Sequence, residues 1–160
     1  MPKLSKSGDV YVGVDSGASG GLCLLEDGIV KAVSMPQTDT DIADWFQGRR
    51  GAAFAVLEKV GGYIMGNKLP GSTMFNFGRT YGLLRMALTM SGIPFEEVTP
   101  QKWQKALGIA PKKKTESRTQ WKNRLKAKAQ QLFPGSRATL KTADAMLIAE
   151  YCRRKYEGKL

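Results

Sequence analysis

Three acids in this chain, Asp15, Glu58 and Asp144, stand where carboxylates can act together. Asp15 closes the β-branched and aromatic run Val10-Tyr11-Val12-Gly13-Val14, and the small residues behind it, Ser16 to Gly21, must turn the backbone sharply. Glu58 closes the continuous apolar run Ala52 to Leu57, the pattern of a strand buried on both faces. Asp144 is followed by Leu147, Ile148 and Tyr151 at i+3, i+4 and i+7, so it shares the core-facing stripe of a helix. An unpaired buried carboxylate is costly, so each needs a cation or a metal beside it. If the two strands are parallel neighbours, about 4.8 Å apart, Asp15 and Glu58 meet at matching ends and repel. A divalent cation resolves that repulsion. Oxygen ligands without His or Cys select a hard ion, Mg²⁺ or Mn²⁺. Two such ions would activate water and stabilise the leaving oxygen in an in-line attack on a phosphodiester. Each acid also has a structural alternative, as a turn former, strand end or cap.

The composition narrows the chemistry further. The chain has 160 residues and no histidine, which removes the usual zinc ligand and every triad built on imidazole. Its two cysteines, Cys23 and Cys152, have no paired spacing and read as core thiols. No apolar run approaches the roughly 18 residues that span a bilayer, and the N-terminus lacks a signal-peptide core, so a soluble intracellular protein is expected. The net charge is +11. Twelve Lys or Arg lie between Val98 and Thr142 against one acid, Glu116, so this segment holds the entire excess and the remainder is balanced. Such a segment is expected of a surface built to meet a polyanion, the alternative being a merely solvated, helix-friendly lysine surface.

The elements that must position these residues follow from local pattern. Residues 9 to 35 read as a three-stranded antiparallel meander, its second turn the hairpin-forming Asp27-Gly28. Thr38 or Asp39 caps a short helix with Ile42, Trp45 and Phe46, which stops at Gly48. A strand over 52 to 57 leads to a glycine-rich loop over 59 to 72. The helix expected over 73 to 91 carries apolar residues at 77, 81, 84 and 88, and its Gly78 and Gly82 would let it lie close against a neighbour. A strand from Ile93 precedes a helix entered at Thr99-Pro100, with Thr99 as cap. Helices over about 117 to 133 and 139 to 156 complete one α/β domain over 1 to 160, with flexible ends at 1 to 8 and 156 to 160. Its sheet is expected to be mixed and five-stranded, the meander plus two parallel strands, flanked by helices.

Order and spacing resemble the RNase H-like superfamily and, within it, the RuvC family of Holliday junction resolvases. The resemblance rests on Val12-Gly13-Val14-Asp15 with its glycine turn, Val56-Leu57-Glu58, Asn76-Phe77-Gly78-Arg79-Thr80-Tyr81-Gly82, and Ala143-Asp144-Ala145-Met146-Leu147-Ile148-Ala149. The Phe-Gly-x-x-Tyr-Gly-Leu pattern and the compact length resemble the phage and chloroplast branches. The family implies a homodimer that recognises four-way or branched DNA and nicks two strands symmetrically with Mg²⁺ or Mn²⁺, two ions per active site. Asp15, Glu58 and Asp144 match its metal-binding acids. The family commonly has another acid three residues before the last, where this chain has Lys141, and Glu150, six positions on, should face elsewhere. Lys114 resembles a lysine that neutralises the scissile phosphate, though Lys112 and Lys113 could be interchangeable with it. Tyr63 and Met65 occupy the place of an apolar wedge at the junction centre, and Arg79, Arg118, Lys122 and Lys141 join them as DNA contacts. The resemblance further implies a cytoplasmic or organellar setting.

Two other classes fit parts of the pattern. A non-catalytic basic nucleic-acid-binding module of the same shape would explain Lys141. An actin-like ATPase would explain the strand-Asp-x-Gly opening, but needs two such domains where this chain has room for one.

Overall fold

A computed structural model describes residues 8–17, 19–59 and 70–160. The meander is β1 (Val10–Asp15), β2 (Gly21–Glu26) and β3 (Ile29–Ser34), paired antiparallel throughout. The β2–β3 turn places Asp27 and Gly28 both at positive φ, the type I′ geometry that follows strand twist. Two parallel strands, β4 (Phe54–Glu58) and β5 (Phe95–Val98), complete a five-stranded sheet of order β3-β2-β1-β4-β5. β4 begins two residues later than its apolar run, because the Ala52 N–H closes a turn on the Arg49 carbonyl.

Among the described residues five helices flank the sheet: α1 (Asp39–Gln47), α2 (Gly71–Met90), α3 (Pro100–Ala106), α4 (Arg118–Leu132) and α5 (Ala143–Tyr156). Thr38 caps α1 by accepting from the Asp41 N–H, and Ser117 with Gln120 closes a capping box on α4. Thr99 precedes α3 but makes no side-chain cap, so that helix rests on Pro100 at its first position. Among the described residues no helix is long and apolar enough to cross a membrane.

Strand alternation divides the core in two. Val12, Val14, Ala55 and Leu57 face one side and pack with Ile42, Phe46, Leu84 and Leu88 of α1 and α2. Tyr11, Val56 and Cys23 face the other, against Trp103, Leu125 and the apolar residues of α5. α5 is buried on every side from Ala143 to Cys152, so it is a central helix rather than the half-exposed one its stripe suggests. It crosses β1 so closely that a Cβ at Gly13 would lie 2.2 Å from the Ala145 carbonyl oxygen and 2.3 Å from the Ala149 nitrogen. Only glycine admits that crossing.

Gly78 and Gly82 behave otherwise. Both are exposed on α2 with nothing within 4 Å of a Cβ, so among the described residues they serve no close helix contact. α5 also starts later than expected. Thr139 and Thr142 exchange backbone and hydroxyl hydrogen bonds in a local turn that displaces the first helical turn.

Candidate active site

Alternation places the three acids on one face. Asp15 has the parity of Tyr11 and Gly13, and Glu58 that of Val56, so both point toward α5. The register pairs Val14 with Leu57, and one further step brings Asp15 level with Glu58. Because α5 begins at Ala143, Asp144 falls in its first turn, where the helix dipole favours a carboxylate. The acids line a cleft of about 520 Å³ together with Ser19, Phe77, Arg118, Lys122 and Lys141.

Fixed donors hold the acids. The Gly17 N–H donates to Asp15 Oδ1 at 3.1 Å, and Ser16 Oγ ties the same turn to the Glu58 carbonyl at 2.9 Å. The turn is tight enough that a Cβ at Gly20 would meet the Asp15 carbonyl oxygen at 2.1 Å. The indole Nε1–H of fully buried Trp103 donates to Glu58 Oε2 at 2.8 Å. Lys122, from α4, sets its ammonium 2.5 Å from Asp144 Oδ2. Asp144 Oδ1 is buried and has no hydrogen-bond partner among the described residues.

The electrostatics match a crowded acidic site. Burial first, then the Asp144 charge, pushes Asp15 up to about 6 against the pull of Gly17 and Lys122. Burial, then Asp15, pushes Glu58 up to about 8, with Trp103 and Lys122 opposing. Burial works against the charged form of Lys122, but Asp144 foremost, then Asp15 and Glu58, outweighs it and raises its pKa.

The structure brings six of the sequence-derived candidates to this cleft: Asp15, Glu58, Asp144, Arg118, Lys122 and Lys141. Lys112, Lys113 and Lys114 lie on the exposed turn before α4, outside the cleft lining. Arg124 braces that turn on Glu116 and on the carbonyls of Ala110 and Pro111. Arg79 pairs with Asp39 of α1, also outside the lining. Tyr63 and Met65 fall outside the described residues. Glu150 faces away from the cleft, bonded to Arg153 and Arg154. Trp103 emerges as a site residue that the sequence marks only as apolar. Its one available signal is that a buried indole N–H requires an acceptor.

The donor chemistry suits a hard divalent cation: all-oxygen ligands, mutual repulsion, and an orphaned buried oxygen on Asp144. The spacing is not yet that of a closed metal site. Among the described residues no three acidic side chains stand together at ligand distance, and Lys122 holds one oxygen of Asp144.

Strand order and the central helix define the fold, a mixed five-stranded α/β fold of the kind seen in solved RuvC structures. Among solved structures the chain is similar to Thermus thermophilus RuvC in complex with a Holliday junction substrate. The TM-score is 0.62 at 15% identity, with 94% of this chain and 97% of that one covered. A second Thermus thermophilus RuvC structure gives a TM-score of 0.56 at 14% identity, covering 94% and 95%. No protein-family model and no curated protein sequence matches the chain.

Proposed function

We propose that this protein is a divalent-metal-dependent endonuclease that resolves four-way or branched DNA junctions by paired, symmetric nicks. The observation that carries the reading is the convergence of Asp15, Glu58 and Asp144 from β1, β4 and α5 on a cleft rimmed by Arg118, Lys122 and Lys141, in a RuvC-like fold. Asp15, Glu58 and Asp144 would hold Mg²⁺ or Mn²⁺, two ions when fully loaded. When bound, the metal supplies charge neutralisation at the scissile phosphate and an activated water.

The chain's own groups do the rest. Gly17 N–H and Trp103 Nε1–H each fix one oxygen of Asp15 and of Glu58, so neither carboxylate needs to reorganise during turnover. Arg118 and Lys141 seat the phosphate at the cleft rim. Lys112, Lys113 and Lys114 engage backbone further along the duplex arm, Lys114 being our choice for the one of these three nearest the scissile phosphate. Arg79 makes a more distant contact, and Tyr63 and Met65 form the wedge at the junction centre. Symmetric nicking needs two such sites, hence a homodimer. The α2 pattern leads us to rank the phage and chloroplast enzymes as nearest in type, acting wherever the cell's branched DNA lies.

The expected result is Mg²⁺-dependent paired nicking of a synthetic four-way junction, lost in Asp15→Asn, Glu58→Gln or Asp144→Asn while junction binding survives. Equal cutting of linear duplex would retire the junction selectivity and leave the nuclease. The Lys122–Asp144 pair favours a second reading, a basic DNA-binding module without catalysis, since one acid is already neutralised. Absence of Mn²⁺ binding together with absence of cleavage would select it.

A further inference from the structure

Three features meet at Asp144. Its Oδ2 is bonded to the Lys122 ammonium at 2.5 Å, and among the described residues its Oδ1 is buried and unpartnered and the three acids are not closed around a common point. Lys122 is more than a member of the basic surface. Its side chain is 31% exposed, it reaches from α4 to Asp144 on α5, and its charge is faced by all three carboxylates. A buried carboxylate left with no countercharge is costly. In the metal-free protein, therefore, the ammonium performs the neutralisation that the cleft otherwise asks of a cation.

We propose that Lys122 is a resident counter-ion of the carboxylate cleft, and that a divalent cation gains Asp144 only by displacing it. The four-carbon stem of lysine allows that exchange without moving either helix. Like charges disfavour simultaneous occupancy, so the lysine weakens metal binding and the metal frees the lysine. The freed ammonium remains on the cleft wall with Arg118 and Lys141, where a phosphate would meet it. Metal entry and phosphate capture are thereby linked through one side chain. The inference rests on the metal-dependent reading above but can fail alone.

The test is Mn²⁺ titration of the DNA-free protein by calorimetry, for wild type, Lys122→Met and Lys141→Met. Lys141→Met removes one positive charge from the same cleft without breaking the Asp144 pair, so it reports the general field. Lys122→Met should bind Mn²⁺ at least about tenfold more tightly than wild type, and Lys141→Met less than about threefold. Equal tightening in both variants, or none in Lys122→Met, overturns the inference while wild-type binding upholds the metal site. No Mn²⁺ binding in any of the three removes both. Should Lys122→Met not fold, amine methylation of the wild-type chain followed by peptide mass spectrometry supplies the second measurement. Lys122 should be protected without Mn²⁺ and several-fold more reactive with it. Unchanged protection of Lys122 overturns the proposal.

Discussion

Asp15 and Glu58 are held at the ends of adjacent parallel strands, where burial works against ionisation, joined by the charge of Asp144 on Asp15 and of Asp15 on Glu58. Both titrate higher in the folded protein than in the unfolded chain, so the native state binds extra protons. Their contribution to stability is complete below the ordinary carboxylate range. It is lost as pH rises, through about 6 for Asp15 and about 8 for Glu58. No histidine titrates in that window, and burial pushes the Cys23 and Cys152 thiols above it. The metal-free protein should therefore melt lower at pH 8.5 than at pH 5. Each tenfold difference in proton affinity between the folded and unfolded chain is worth about 1.4 kcal/mol, so a loss of at least about 2 kcal/mol is expected, or roughly 4 to 8 °C at this chain length. Asp15→Asn or Glu58→Gln should flatten the profile, and saturating Mg²⁺ should restore the wild-type melting temperature at pH 8.5. Thermal melts across that range check all three outcomes, and a melting temperature that rises with pH contradicts the electrostatic account.

At the scale of elements, the position of Asp144 depends on how closely α5 crosses β1, and Gly13 sets that distance. In Gly13→Ala the added carbon would press on helix backbone at Ala145 and Ala149, which cannot rotate away as a side chain would. The expected cost is about 3 kcal/mol or more, read as a fall of roughly 6 to 12 °C in melting temperature. Nicking should be lost even under conditions where the variant stays folded, because Asp144 moves with its helix. Gly78→Ala, on the open face of α2, should instead raise stability by about 0.5–1 kcal/mol. The contrast shows what sequence can and cannot express. The strand runs of β1 to β3, the Asp27-Gly28 turn, the Thr38 cap and the acids at strand ends are written locally, and the pattern reads them correctly. Contacts between distant segments are not written locally. Gly13 looks like a strand glycine, Gly78 and Gly82 look like a packing motif, and Trp103 looks like core until Glu58 is seen 45 residues away beside it. The Thr139–Thr142 turn likewise outweighs a helical pattern that had no visible break.

Across the whole molecule, the acidic cleft and the basic excess are close neighbours rather than opposite poles. The segment holding the entire +11 runs through α3, the basic turn and α4, and delivers Arg118, Lys122 and Lys141 to the lining that contains the three acids. A polyanion drawn to the basic surface is thus brought to the carboxylates, whose own field would repel it unless metal is present. Junction binding should accordingly be strongly salt-dependent. For contacts to about five phosphates, counter-ion release predicts a slope near −4.5 in log K against log salt, or about a 500-fold loss between about 50 and 200 mM. Arg118→Ala should reduce the magnitude of that slope by about one, as expected for one phosphate contact. In Ca²⁺, which occupies such oxygen sites with different geometry, wild-type affinity should exceed that in chelator, and Asp15→Asn with Glu58→Gln should bind equally in both. Fluorescence anisotropy of a labelled four-way junction over a salt series measures each quantity. A flat salt response would separate the basic segment from DNA binding, whereas a steep slope with no dependence on the divalent ion would separate the cleft from it.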